Sequence, residues 1–274
     1  MEHWRRLPFQ RGATAPLLAG AEALIEGQAI REQPAIRWYV MDRPALILGS
    51  SQRRVEVDWI ACETAGVTVH RRRSGGTAVY TDGTLLSLDV ALPTGHRLLP
   101  QNVTAAYRWF GEVWRGALQR LGVHSYAIED APARALNASL DSTVKQVCFG
   151  GVSPYEVLVD RRKLVGLAQV RRRPGGLLQA GIYLRWGPEC ISSLLSGTPE
   201  ERHTRAALLR DRAVGLHELG SPDVDTDAII AAWEQTLQET EHVKLVDDDW
   251  MAEERAIIAA TEDCYTALPM PATT

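Results

Sequence analysis

The chain has 274 residues, 45% of them hydrophobic, and a formal net charge of −4. That length suits one large domain or one domain with an appendage, and the hydrophobic fraction is ordinary for a soluble globular protein. The acidic balance argues against general nucleic-acid binding, no run approaches the ~18 apolar residues of a membrane span, and the opening MEHWRRLPFQRG lacks the apolar stretch of a signal peptide.

Pro16 to Ile30 carries Leu17, Leu18, Ala21, Leu24 and Ile25 at helical spacing and reads as a helix. Ile36–Val40 and Ala45–Leu48 read as strands around the turn Asp42-Arg43-Pro44. Val55–Ala65 reads as a helix with Gly66 just past its end. Val67–Arg71 and Ala78–Tyr80 are predicted strands around a glycine turn, and Leu85–Leu92 alternates like a strand ended by Pro93. Val103–Leu121 is the clearest helix, with an apolar stripe through Ala106, Trp109, Val113, Trp114 and Leu118 that belongs in a core. Asn137–Gln146 is polar and reads as a loop. Tyr155–Asp160 and Lys163–Gln169 form a hairpin across Arg161-Arg162, and Leu177–Leu184 follows the Pro174-Gly175-Gly176 turn.

Beyond Gly197 the composition shifts. Glu200–Leu216, Asp225–Glu241 and Asp247–Ala260 read as helices with acidic starts, and Pro269–Thr274 as a frayed tail. Strands in hairpins with helices beside them predict an α+β fold, with a main domain over 1–196 and a helical extension over 197–274. There are no internal repeats.

The four cysteines, Cys62, Cys148, Cys190 and Cys264, contain no CxxC pair, which speaks against zinc and thioredoxin-type chemistry. A cytoplasmic protein with reduced thiols is expected. Cys62 and Cys264 fall in or beside helical patterns and read as structural; Cys190 reads as a loop residue. The cations cluster at Arg71–Arg73, at Arg161, Arg162 and Lys163, and at Arg171–Arg173. Such clusters are commonly solvated strand ends; three around the same segments suggest a basic rim facing an acidic partner.

Two segments carry the chemistry. Arg73-Ser74-Gly75-Gly76 is a turn whose glycines permit positive φ and close approach to a ligand, although a plain tight turn would look the same. Cys148 lies between a polar stretch and Gly150-Gly151. A lone cysteine is usually a small buried hydrophobe, but a nearby lysine or arginine would favour the thiolate that attacks carbonyls. Lys163 opens the strand KLVGLAQ. Strand-start lysines are usually exposed, so Lys163→Ala is expected to keep the fold. Gly166 would leave room against that strand for a ligand whose oxyanion the ammonium could stabilise. His70 reads as structural, and no histidine is placed as a catalytic partner.

RRRSGGTAVYTDGT, VDRRKLVGLAQ and PALILGSSQ resemble, in this order, motifs of the lipoate–protein ligase, octanoyltransferase and biotin–protein ligase superfamily. The similarity spans roughly Trp38 to Tyr183. Cys148-Phe149 ahead of Tyr155-Glu156 and Lys163 is most similar to the octanoyltransferases of ligase-like sequence. The resemblance implies a mixed, largely antiparallel sheet core with flanking helices. It implies Cys148 as nucleophile, Lys163 as the group that orients the acyl carbonyl, and a substrate site formed by Arg73, Ser74, Gly75, Gly76, Thr77, Ala78, Asp82, Gly166 and Ala168. It further implies octanoyl transfer from acyl carrier protein, or from another octanoylated lipoyl domain, to the lysine of a lipoyl domain such as glycine cleavage H protein or a 2-oxoacid dehydrogenase E2. No metal or other cofactor is then needed. The alternatives are an ATP- and Mg-dependent lipoate ligase and a non-catalytic acyl-protein binder. Thr77, Thr81, Gly83-Thr84 and Ala180 depart from the superfamily pattern at pocket and cofactor contacts.

Overall fold

The computed structural model describes residues 1–221 and 223–271. In chain order the elements are β1 (Glu2–Arg6), β2 (Gln10–Gly12), α1 (Thr14–Gly27), β3 (Ala35–Met41), β4 (Ala45–Leu48), α2 (Trp59–Thr64), β5 (Thr68–Arg71), β6 (Val79–Thr81), β7 (Leu85–Pro93), α3 (Val103–Arg120), β8 (Tyr126–Ala127), α4 (Asp130–Ala138), β9 (Val157–Val159), β10 (Arg162–Arg171), β11 (Gly175–Tyr183), α5 (Pro188–Leu194), α6 (Pro199–Arg212), α7 (Thr226–Glu241), β12 (Val243–Asp247) and α8 (Ala252–Thr261). The expected α+β class holds.

A nine-stranded sheet runs β12-β1-β3-β7-β11-β10-β9-β8, with β2 paired to β3. From β3 to β8 every pairing is antiparallel; β12, β1 and β3 pair in parallel. A second sheet, β5-β4-β6, holds the glycine turn between its outer strands.

Alternation along the strands sorts the two faces of the large sheet. Trp38, Val40, Leu86, Leu88, Leu178 and Ile182 turn into the main core with α3 and α7, where Trp38 meets Trp114 and Trp233 edge to face. Ala35, Ala91 and Leu177 turn the other way, towards α1. On that face Arg37 is fully buried and ion-paired with Asp89, which also accepts from Gln179 Nε2 at 2.8 Å. Gly20 of α1 makes the room: a Cβ there would lie 1.9 Å from Arg37 Nη1.

The segment after residue 197 is built into these same layers. β12 extends the large sheet beside β1, α7 supplies Trp233 to the main core, and α8 packs against α1. Local differences from expectation have local causes. The expected helix over 55–65 begins only at Trp59, where the Asp58 carboxylate accepts from Ala61 N at 2.9 Å and caps it. Asn137 and Ala138 close α4 rather than opening a loop, and Val144–Gln146 forms a 3-10 turn. Cys190 lies inside α5, which starts on Pro188. Asp247 ends a strand, and the helix expected from it begins at Ala252. Of the expected frayed tail, residues 272–274 lie outside the described residues, whereas the Pro269 carbonyl accepts from Arg54. Among the described residues no helix is long and apolar enough to cross a membrane.

Candidate active site

The glycine turn is held by the arginines before it. The Arg72 guanidinium donates to the carbonyls of Gly75 (3.0 Å) and Thr77 (2.9 Å), and Arg71 to those of Gly49 (2.9 Å) and Gln52 (2.6 Å). Gly76 has φ +90°, which L side chains rarely adopt. The turn delivers Ala78 to a parallel bridge with Val147: Ala78 N donates to Gln146 O (3.0 Å) and Cys148 N to Ala78 O (2.9 Å). The two segments singled out in the sequence therefore meet. A Cβ on Gly76 would stand 3.9 Å from Cys148 Sγ.

Lys163 is not the exposed strand-start residue expected. It is 1% exposed. Its ammonium donates to Cys148 O at 2.9 Å, pairs with Glu156 Oε2 at 2.7 Å and lies 5.5 Å from the Phe149 ring centroid. Glu156 is equally buried and accepts from Ser153 N (2.7 Å) and Leu167 N (3.0 Å). β9 begins at Val157, which pairs with Val165, so it does not reach Leu167, and the Glu156 side chain just before β9 accepts from Leu167 N instead. Gly166 makes room for Phe149: a Cβ there would meet the ring at 3.3 Å. An ammonium has three donors. Two are spent on Glu156 and Cys148 O, and the third has no partner among the described residues.

Cys148, Leu167 and Ala168 border two cavities at once. One is mostly apolar, bounded by α1, the inner strands of the large sheet and Phe149. The other carries the charged side chains of Lys145, Lys163 and Glu156 beside Gly75, Gly76 and Thr77. On the α1 side of the apolar cavity, Glu22 collects Arg73 (2.7 Å), Arg172 and the Tyr265 hydroxyl (3.0 Å). Burial alone would raise the Glu22 carboxyl. Hydrogen bonds from Arg172 and Tyr265 and the charges of Arg172 and Arg73 outweigh it and hold the group below the usual carboxylate range.

The family described as "Lipoyl protein ligase A/B catalytic domain" matches residues 17–238. This chain belongs to that family. It is similar to proteins named Octanoyltransferase LipM: 33% identical to that of Kyrpidia tusciae over 93% of both chains, and 31% identical to that of Geobacillus kaustophilus over 94% of this chain and 93% of that one. In fold it is similar to a bi-partite lipoate protein ligase from Thermoplasma acidophilum, with a TM-score of 0.78 at 22% identity, covering 96% of this chain and 92% of that one.

Within this lipoyl ligase-type fold the expected substrate residues separate. Arg73, Ser74 and Gly166 line the cavity beneath α1, Gly75, Gly76 and Thr77 the one that carries Lys163, and Ala168 both. Ala78 is fully buried and acts through its backbone bridge. Asp82 lines neither cavity; it is exposed and accepts from Thr84 N and Oγ1 in a surface turn. Much of the expected basic rim is spent internally. Arg71 and Arg72 bind backbone carbonyls, and Arg73, Arg172 and Lys163 bind carboxylates. His70 is structural, bonded through Nδ1 to Tyr265 O at 2.7 Å. Burial beside Asp58 pushes the Cys62 thiol up to about 11, whereas Cys264 is exposed rather than packed. Sequence reasoning did not single out Glu156, Glu22 or Tyr265. Only Glu156 carried a signal, in the Tyr-Glu ahead of the hairpin.

Proposed function

We propose that this acyltransferase carries an octanoyl group on Cys148 between a donor thioester and a lipoyl-domain lysine. The reading rests on one observation: Cys148 borders two cavities, one beneath α1 and one that carries Lys163 and Glu156, with the Lys163 ammonium on its own carbonyl. The acyl chain lies in the cavity beneath α1 and the exchanging groups come and go through the one that carries Lys163. The names of the similar octanoyltransferases support the octanoyl group, and the Thermoplasma ligase, described with its E2 lipoyl domain, supports a lipoyl-domain acceptor.

In the first step the Cys148 thiolate attacks the thioester carbonyl. Lys163 donates its third N–H to the oxyanion. The donor C–S bond breaks, and the leaving thiolate takes a proton from solvent. In the second step the neutral lysine amine of the acceptor attacks the acyl-cysteine. The C–N bond forms, the C–S bond breaks, the amine proton goes to solvent and the Cys148 thiolate returns. Thioester exchange is near neutral and thioester to amide runs downhill, so no ATP enters the scheme.

Intact-protein mass spectrometry after incubation with octanoyl-acyl carrier protein, without ATP, tests this reading. The wild type gains a hydroxylamine-labile octanoyl adduct and Cys148→Ser does not. Absence of the adduct, with lipoyl-domain modification only when ATP and free lipoate are supplied, would make the chain a ligase and Cys148 incidental.

A further inference from the structure

Strand register shapes the floor of the apolar cavity. On the face beneath α1, β10, β11, β7 and β3 set Gly166, Gly181, Ser87 and Tyr39 opposite one another in one row across the sheet. All four border the cavity. The first three carry little or no side chain; the fourth is a ring. Adjacent strands lie about 4.8 Å apart, so the row of small residues from Gly166 to Ser87 spans about 10 Å, and Tyr39 stands one strand farther on. An extended eight-carbon chain is about 9 Å long, at roughly 1.3 Å of rise per C–C bond.

The Tyr39 end is closed from outside the sheet. Tyr265 packs there with Leu18, Tyr39, Met41 and Ile47 and is 3% exposed. It comes from the C-terminal segment, which is fixed at several points. The Tyr265 hydroxyl donates to Glu22 Oε2, its carbonyl is bonded to His70 Nδ1, and Leu268 N donates to Val69 O at 2.7 Å. The ring is therefore a built wall, latched to both α1 and β5.

We propose that Tyr265 is the end wall of the acyl groove and limits this site to unbranched acyl groups of about eight carbons. This rests on the transferase reading for the identity of the occupant. The small row Gly166–Gly181–Ser87 is the path, and the C-terminal segment sets its length.

The test compares wild type, Tyr265→Ala, Tyr265→Phe and Leu177→Ala. Two quantities are read as dodecanoyl-to-octanoyl ratios: the acylation rate from the two acyl-carrier-protein thioesters, and the affinity for the two free fatty acids by titration calorimetry. Tyr265→Ala should raise both ratios at least about tenfold, the discrimination a pocket achieves for a methylene, while Tyr265→Phe and Leu177→Ala stay within about twofold. Should Tyr265→Ala not fold, Tyr265→Val gives the same comparison. Ratios unchanged in a folded Tyr265→Ala or Tyr265→Val variant, or raised instead by Leu177→Ala, overturn the proposal. Failure of wild type to be acylated by either donor would defeat the transferase reading alone, since the fatty-acid ratio still decides the role of Tyr265.

Discussion

Replacing Lys163 by methionine removes a cation of similar length from a site 1% exposed. Glu156 would keep the two backbone N–H bonds from Ser153 and Leu167 but lose the ammonium at 2.7 Å. A buried carboxylate stripped of its partner typically costs about 3–5 kcal/mol. At roughly 2–3 °C per kcal/mol for a chain of this size, Tm should fall by about 6–15 °C in a calorimetric scan. Lys163→Met/Glu156→Gln removes the bare charge and gives up one backbone acceptor, so it should recover part of that loss, with a coupling of about 1–3 kcal/mol. Acylation of Cys148 should be lost in both variants, because neither has the third ammonium donor. Stability and acylation then move apart, which a purely structural lysine could not produce. A Tm within about 2 °C of wild type for Lys163→Met would refute the buried-pair argument. So would a double variant no more stable than the single one.

Gly76→Ala forces φ +90° on an L side chain and sets its Cβ 2.9 Å from an Arg72 guanidinium nitrogen. It should cost about 1–3 kcal/mol and slow alkylation of Cys148 in peptide mapping; unchanged stability would remove the strain argument. The Glu22 carboxyl lies below its ordinary range in the folded protein. Its clasp is therefore fully present above the unfolded value near 4.3 and is lost as pH falls through the lower folded value. Wild-type Tm should drop below about pH 4.3 more steeply than that of Glu22→Gln, and parallel curves would contradict it. A chain ending at residue 196 would lose Trp233 from the main core and β12 from the large sheet. It should show no cooperative unfolding transition by calorimetry, and a cooperative one would make 197–274 a separable extension.

What could be read in advance was what repeats locally. The apolar stripe of α3 and the alternation of β7, β10 and β11 mark their elements because each has one buried face. β1 and β12 are short, have no clear alternation and exist because the two ends of the chain pair with each other, a contact no local window contains. The meeting of Cys148 with the glycine turn follows the order of the family motifs. The environment of Lys163 does not, because it depends on where β9 begins, which leaves the Glu156 carboxylate to accept from Leu167 N on β10. Glu22 and Tyr265 escaped for the same reason as β12. They reach the site from α1 and from beyond α8, and nothing in GAEALI or DCYTAL distinguishes them from ordinary core and surface residues.

The geometry also bears on why an acyl group would be held on sulfur at all. Of the two cavities that Cys148 borders, one is lined by Lys163, Glu156 and the glycine turn together. A donor thiol and an acceptor amine would have to use the same opening and the same ammonium donor. Under the proposed mechanism they use it in turn, and the acyl group waits on Cys148 while one leaves and the other arrives. The apolar groove supplies the means. Burying an eight-carbon chain removes roughly 0.8 kcal/mol of unfavourable hydration per methylene, and those contacts are the same in both half-reactions. The chain stays anchored while its carbonyl alone changes partners. The buried Lys163–Glu156 pair fixes the Cys148 backbone to β10, the strand that forms the floor of the groove, and under the proposed mechanism the same contact would set an oxyanion donor beside the thioester in both steps.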